Sequence, residues 1–437
     1  MNRHALCALP SLLAAWALYA TPLARAAEPA AAPAEPAKAE PAKAEPAKAA
    51  AADHPSDRPA GNSNVETFDD QARFIAGLPV SEGSPLAEVE KDEQWQDYAK
   101  SLDKDWTKIR TKRLDAMSQF SSKELAPKID PKANLFYFFG GPDFLSVSVL
   151  YPDAPVYILA GLEPIGFVPQ ISKMKQDRLD RSIDNLRKTI MNNVRASFFR
   201  TNDMSGDLTR TEFKGVLPVL ELFAARADFK VLDVQYFELG DQGEEQVLAD
   251  PTKGDKKKPQ GIKLRLLKKG RDQEQVLYYL KQDVANSVLK NTPGFLAFFK
   301  KHAPANHFFK AASFILHDAK RFSTTRDFVM ENALSILQDD SGVPFDQLRK
   351  PKEKEPKWTT HLYGKYFRPL PPFDKHYQDG LIKAFKTETV EPLPFVTGYR
   401  HEGEANLVLA IPKKAEEAKP AAAPAEPEKK EETKPTP

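Results

Sequence analysis

Apolar residues recur at three- and four-residue steps as Trp95, Tyr98, Leu102, Trp106 and Ile109, and Leu114, Met117 and Phe120 extend the same stripe. That spacing predicts a long amphipathic helix whose aromatic face packs on its own domain. The period then shortens. Leu135-Phe136-Tyr137-Phe138-Phe139 is a brief apolar run closed by Gly140-Gly141-Pro142-Asp143, and Val156-Tyr157-Ile158-Leu159 is a second, closed by Gly161-Leu162-Glu163-Pro164. Phe144 to Tyr151 has the length of a crossover helix, and Pro142 is admissible in its first turn. The segment 134–166 therefore reads as strand, helix, parallel strand.

Downstream, Gln176 to Phe199 and Thr211 to Ala227 carry helical patterns, and Phe229 to Phe237 carries a strand pattern. Gly261 to Leu267 and Gln275 to Leu280 form an antiparallel hairpin around Lys268 to Glu274. Helices fit Gly294 to Lys301 and Thr324 to Asn332, whereas Phe308 to His317 fits helix and strand equally. Helices interleaved with strands predict an α/β fold, a three-layer sandwich on a mixed, mostly parallel sheet. One large domain over 65–412, with a helical N-terminal part at 65–130, accommodates all of them.

The flanks differ in kind. Glu35-Pro36-Ala37-Lys38 recurs at Glu40 and at Glu45, and the Ala/Pro/Glu/Lys composition returns from Lys413 to Pro437. Neither 27–64 nor 413–437 offers apolar periodicity, so both are expected to be disordered arms. Residues 1–26 read as a signal peptide: Arg3, an apolar run from Ala5 to Ala20, and the small-x-small site Ala24-Arg25-Ala26. The run is short of the roughly 20 residues that span a bilayer, and Pro10 interrupts it. The single cysteine, Cys7, precedes most of that run, whereas a lipoprotein cysteine follows it.

Cleavage near Ala26 would leave no cysteine for a disulfide, a thiolate metal site or a nucleophile. It would also remove Arg3 and Arg25, bringing the charges to 61 basic against 61 acidic. A neutral chain without a basic stripe argues against nucleic acid as partner. The run Lys253 to Lys258, broken by Gly254 and Asp255, reads as a solvated loop. Together these features describe a periplasmic or secreted bacterial protein with no transmembrane segment after cleavage and a setting in the cell envelope.

Candidate chemistry gathers at strand ends. Asp143, Glu163, Asp339 and Asp340 each follow a predicted strand, where open α/β sheets collect ligands. Paired there, they would suit acid/base catalysis, although Gly-Pro-Asp and Asp-Ser-Gly are also ordinary turn sequences. Gly140, Gly141 and Glu163 imitate a nucleotide fingerprint, but Pro142, Asp143 and Phe144 stand where further glycines belong, so no cofactor is expected. Thr201 to Glu212 imitates a calcium loop, with Asp203, Ser205, Asp207 and Glu212 as candidate ligands, yet Thr201 replaces the first aspartate.

Ser172-Lys173-Met174-Lys175 matches a Ser-x-x-Lys motif without its companion motifs and is set aside. His302 and His307 are separated by Pro304, and His317, His361, His376 and His401 stand alone. The first two, five apart across that proline, do not share a helix face as zinc ligands would, and the other four read as surface or satisfied core residues.

Four phrases occur as a set: Phe139-Gly140-Gly141-Pro142-Asp143-Phe144, Gly161-Leu162-Glu163-Pro164, Gln338-Asp339-Asp340-Ser341-Gly342-Val343-Pro344 and Leu393-Pro394-Phe395-Val396-Thr397-Gly398-Tyr399. The chain from Asn134 to Tyr399 resembles an uncharacterised family of exported bacterial proteins that has no assigned activity. The resemblance implies one continuous domain and bacterial export, and carries over no catalytic residue. The expectation is an exported protein with a binding or envelope-associated role. A hydrolase-like enzyme using the four carboxylates is the alternative, and a calcium-binding protein is the second.

Overall fold

The computed structural model describes residues 66–196, 212–350, 355–400 and 404–413. The proposed signal peptide, the N-terminal arm, the C-terminal arm beyond Lys413 and His401 lie outside them. So do calcium-loop candidates Asp203, Ser205 and Asp207, and the end of the helix expected to reach Phe199.

The N-terminal part is helical, with α1 (Phe68–Ile75), α2 (Glu93–Ile109) and α3 (Asp115–Phe120). Two π-turns, Arg110–Leu114 and Ser121–Leu125, follow α2 and α3. Asp92 caps α2 by accepting from the amides of Gln94 and Trp95. Trp95, Tyr98, Leu102 and Trp106 are buried, so the aromatic stripe is core. Two of its polar tips are also tied: the Trp95 indole donates to the Phe74 carbonyl, and the Tyr98 hydroxyl donates to that of Ile75.

Alternation explains the layers. In β1 (Asn134–Tyr137) and β2 (Val156–Gly161), Leu135, Tyr137, Tyr157 and Leu159 join one hydrophobic cluster, whereas Phe136, Ile158 and Ala160 join a second on the other face. A strand apolar on both faces belongs inside a sandwich. The remaining strands are β3 (Phe229–Leu239), β4 (Glu245–Leu248), β5 (Gln260–Lys268), β6 (Glu274–Lys281), β7 (Ala305–Phe309) and β8 (Ala333–Gln338). Three more follow: β9 (Trp358–Gly364), β10 (Val390–Glu391) and β11 (Asn406–Pro412). All eleven form one mixed sheet in the order β10-β9-β11-β8-β7-β1-β2-β6-β5-β3-β4. Its central five, β8-β7-β1-β2-β6, are parallel, and antiparallel pairs flank them.

Between β1 and β2 lies α4 (Phe144–Leu150), as expected, and its apolar residues enter the first cluster. The helices α5 (Gln176–Ala196) and α6 (Leu217–Arg226) cover that same face. The other face receives α7 (Asn286–Leu289), α8 (Pro293–Lys301) and α9 (Ala319–Asn332), the last connecting β7 to β8. A third, smaller cluster packs α10 (Phe345–Leu348) and α11 (Asp379–Thr387) against Leu362 and Val408. The chain thus steps from β1 to β2 in one direction over one face, and from β7 to β8 in the other direction over the opposite face. Both crossovers have the same hand, and the strand order reverses between β1 and β7.

Three expectations need correction. The helix expected from Thr211 starts only at Leu217, with Pro218 in its first turn. Ahead of it Lys214 exchanges two backbone hydrogen bonds with Phe167, which demands that Gly166 and Gly215, both at positive φ, meet backbone to backbone. The ambiguous 308–317 segment is the end of β7 followed by a tight turn at Ile315–His317. Helix α9 begins five residues before Thr324, because Asp318 caps it through the amides of Lys320 and Arg321.

Candidate functional site

The carboxyl ends of β1, β7 and β8 lie side by side, and the loops that leave them carry most of the strained backbone. Among the described residues, the non-glycines at positive φ are Phe139, Ala311, Ser313, Phe314 and Asp228. Four of these five follow β1 or β7. Non-glycine residues in this conformation cost of order 1–3 kcal/mol each and persist where their surroundings impose them. At Ala311 the backbone is held by the buried Asp339, which accepts from its amide.

Asp143 caps α4 by accepting from the Ser146 amide at 3.2 Å. Its other oxygen lies 2.6 Å from Lys310 Nζ and accepts from the Tyr137 hydroxyl at 3.2 Å. Lys310 also donates to Ser146 Oγ at 3.0 Å. Burial pulls the Lys310 ammonium below its ordinary pKa, while the carboxylates of Asp143 and Asp339 push it back up and Arg113 opposes them. Burial likewise raises Tyr137, reinforced by the same two carboxylates.

Asp339 sits across from this pair in the turn after β8. One oxygen accepts from the Ala311 amide at 2.8 Å; the other accepts from the Ser341 amide and hydroxyl at 3.0 and 2.5 Å. Burial, and then the neighbouring Asp340, raises its pKa to about 6. Asp340 turns the other way. It pairs with Arg400 at 3.0 Å and accepts from Asn406 at 3.0 Å, and Arg400 also donates to the Arg368 carbonyl.

Glu163 stands apart at the end of β2, where the Tyr279 hydroxyl donates to its carboxylate at 3.0 Å. A Cβ at Gly161 would come within 2.3 Å of that carboxylate. The bare backbone at the end of β2 therefore makes room for Glu163 itself. Of the four acids, Asp143 and Asp339 share Lys310 and Tyr137 as neighbours, Asp340 adjoins Asp339 but has its own cation, and Glu163 has separate partners. All four are buried.

Less deeply buried than the four acids is a hydroxyl pair that the sequence did not single out. Ser313 Oγ lies 2.5 Å from the Tyr399 hydroxyl, which donates to the Ala311 carbonyl at 2.7 Å, and both side chains are half-buried. Beside them runs a strip of rings. Tyr399 meets Phe373 at 5.3 Å between centroids, Phe373 meets Phe314 at 5.0 Å, and Phe314 stacks on His376 at 4.7 Å. His317 closes the strip against His376. Tyr399 belongs to one of the four distinctive phrases, so that phrase was the one signal available. Lys310 and Ser313 fell within the segment whose structure was ambiguous.

The remaining candidates are dispersed. Glu212 pairs with Arg178 at 3.1 Å on the surface. Among the described residues no group of three or more His, Cys, Asp or Glu side chains is arranged to hold a metal ion. His302 is half-buried against Phe298 and Tyr278, and its backbone carbonyl accepts from Asn134. His307 is buried among Phe136, Phe138 and Phe309, and neither ring nitrogen has a hydrogen-bond partner among the described residues. Burial lowers its pKa to about 3. No described helix is long and apolar enough to cross a membrane. Comparison of the chain with protein-family models, curated proteins and solved structures gives no match in any of the three.

Proposed function

We propose that the protein is exported and acts as a binding domain whose ligand seat is the crevice at the carboxyl ends of β1, β7 and β8. Export rests on the short apolar run and the Ala24-Arg25-Ala26 site. The binding role rests on one observation: the strained residues Phe139, Ala311, Ser313 and Phe314 gather where the strand order reverses, the position at which open α/β sheets take their ligands. The buried pairs Asp143–Lys310 and Asp340–Arg400 hold the loops, and the half-buried hydroxyls of Ser313 and Tyr399 lie between them and the surface as the groups offered to a ligand.

A hydrolase-like acid/base enzyme is the second reading. It is favoured by Asp339, which titrates near the range useful to a general base and lies close to Tyr137 and Lys310. A thermal-shift screen of the full-length protein against small polar metabolites tests the site. Hits that lose their effect in Ser313→Ala support the crevice as the seat. Hits indifferent to that change, or no hits, refute it.

A further inference from the structure

We propose that the mouth of the crevice takes a neutral saccharide, with a sugar ring lying on Phe373 and Tyr399 and its hydroxyls meeting Ser313 and Tyr399. The inference rests on the binding-site reading above and adds the class of ligand. Charge is the first argument. Asp143 is matched by Lys310, Asp340 by Arg400, and Asp339 by donors from Ala311 and Ser341, so the acids at the site are already compensated inside the protein. A charged ligand entering such a site would lose its hydration without gaining a counter-charge.

Shape is the second argument. In the strip from Tyr399 through Phe373 and Phe314 to His376, Phe314 is buried and the other three rings are half-buried, so each keeps part of its surface within reach of solvent. Tyr377 and Phe367, 58% and 65% exposed, belong to the same Tyr366–Tyr377 segment. Aromatic rings pair an apolar face with, in tyrosine, a polar tip. A sugar ring is built alike, with an apolar C–H face and a rim of hydroxyls. Preorganisation adds to both. Ser313 is held at φ 52° and its hydroxyl is already oriented by Tyr399, so fixing it for a ligand costs little further entropy.

Full-length protein is titrated calorimetrically with maltotriose and N,N′-diacetylchitobiose, and in parallel with glucuronate and inorganic phosphate. At least one neutral saccharide should bind saturably, with Kd on the order of 10⁻⁴ M. Phe373→Ala should weaken it about tenfold and Ser313→Ala a few-fold. If Phe373→Ala does not fold, Tyr399→Phe carries the test: it keeps the ring, and should weaken saccharide binding in a protein that still melts cooperatively.

Glucuronate or phosphate binding in place of the neutral sugars, lost in the same variants, overturns the saccharide inference and leaves the crevice as a binding site. Saccharide binding indifferent to all three variants overturns it as well. So does a lack of response to all four probes, while the metabolite screen judges the crevice separately.

Discussion

Lys310 Nζ and the Asp143 carboxylate meet at 2.6 Å across the junction of β7 and β1, with both side chains almost wholly buried. Each charge is tolerable there only because of the other. Lys310→Met should therefore strand Asp143 and lower the unfolding free energy by about 3–5 kcal/mol. Replacing both, as Lys310→Met with Asp143→Leu, should recover much of that loss, although the cap on α4 is gone. Urea unfolding of the two variants measures it. A single-variant cost below about 1 kcal/mol would show that water reaches the pair.

Asp339 invites opposite expectations. Replacing it with Asn removes repulsion from Asp340 but leaves an amide facing the N–H groups of Ala311 or Ser341. An unsatisfied buried donor costs about 1–3 kcal/mol, so Asp339→Asn should destabilise. The sign of its pH dependence follows from the raised pKa. The native aspartate contributes its full stability below the ordinary value of 3.8 and loses it as pH rises through about 6. The deficit of the variant should accordingly be larger at pH 5 than at pH 8. A constant deficit in paired thermal melts would show that Asp339 does not titrate in this range.

Glu221 in α6 is fully buried, and the amide of Gln71 donates to one oxygen at 2.8 Å. Burial raises its pKa from 4.5 to about 8, so stability is fully present below pH 4.5 and is lost as pH rises through about 8. The slope in that window is about 1.4 kcal/mol per pH unit. Glu221→Gln preserves an acceptor for Gln71 without the charge. Its advantage over the native protein should grow steadily from pH 5 to pH 8, as scanning calorimetry would record.

His307 and His317 work in the other direction. Burial holds both imidazoles neutral, at pKa values of about 3, and His376 and Arg326 add to the effect at His317. Their contribution is present above the ordinary value of 6.5 and is lost as pH falls towards 3. His307→Phe suits the surrounding Phe136, Phe138 and Phe309, and should raise the melting temperature more at pH 4 than at pH 7. An equal gain at both would mean that the folded ring takes up its proton as readily as the unfolded one, and so is not held neutral by burial.

The local elements were readable because their cause is local. The three- and four-residue steps from Trp95 to Trp106 mark a buried face, and the runs around Tyr137 and Ile158 mark strands apolar on both sides. Asp143, Glu163, Asp339 and Asp340 could be placed at strand ends for the same reason. Their partners could not, since Lys310 lies 167 positions after Asp143 and Arg400 lies 60 after Asp340. Nothing in the pattern of Ala311 or Ser313 announces a left-handed backbone, which is imposed by Asp339 and Ser341 from another loop. The phenyl rings around His307 were not legible either, because one isolated histidine gives no sign of what encloses it.

The placement of β11 has a consequence for how the molecule is made. This strand follows every other strand in the chain, yet it lies between β8 and β9, and its Asn406 accompanies Arg400 on Asp340. Until residues 406–412 have been synthesised, β9 has no neighbour through which to join the sheet, and Asp340 lacks one of its partners. Contacts this distant must wait for the intervening chain. The strands from β1 to β8 can pair without the last segment, but β9 and β10 reach the sheet only through β11. Shortening the protein through 406–412 would thus detach a whole flank of the sheet at once.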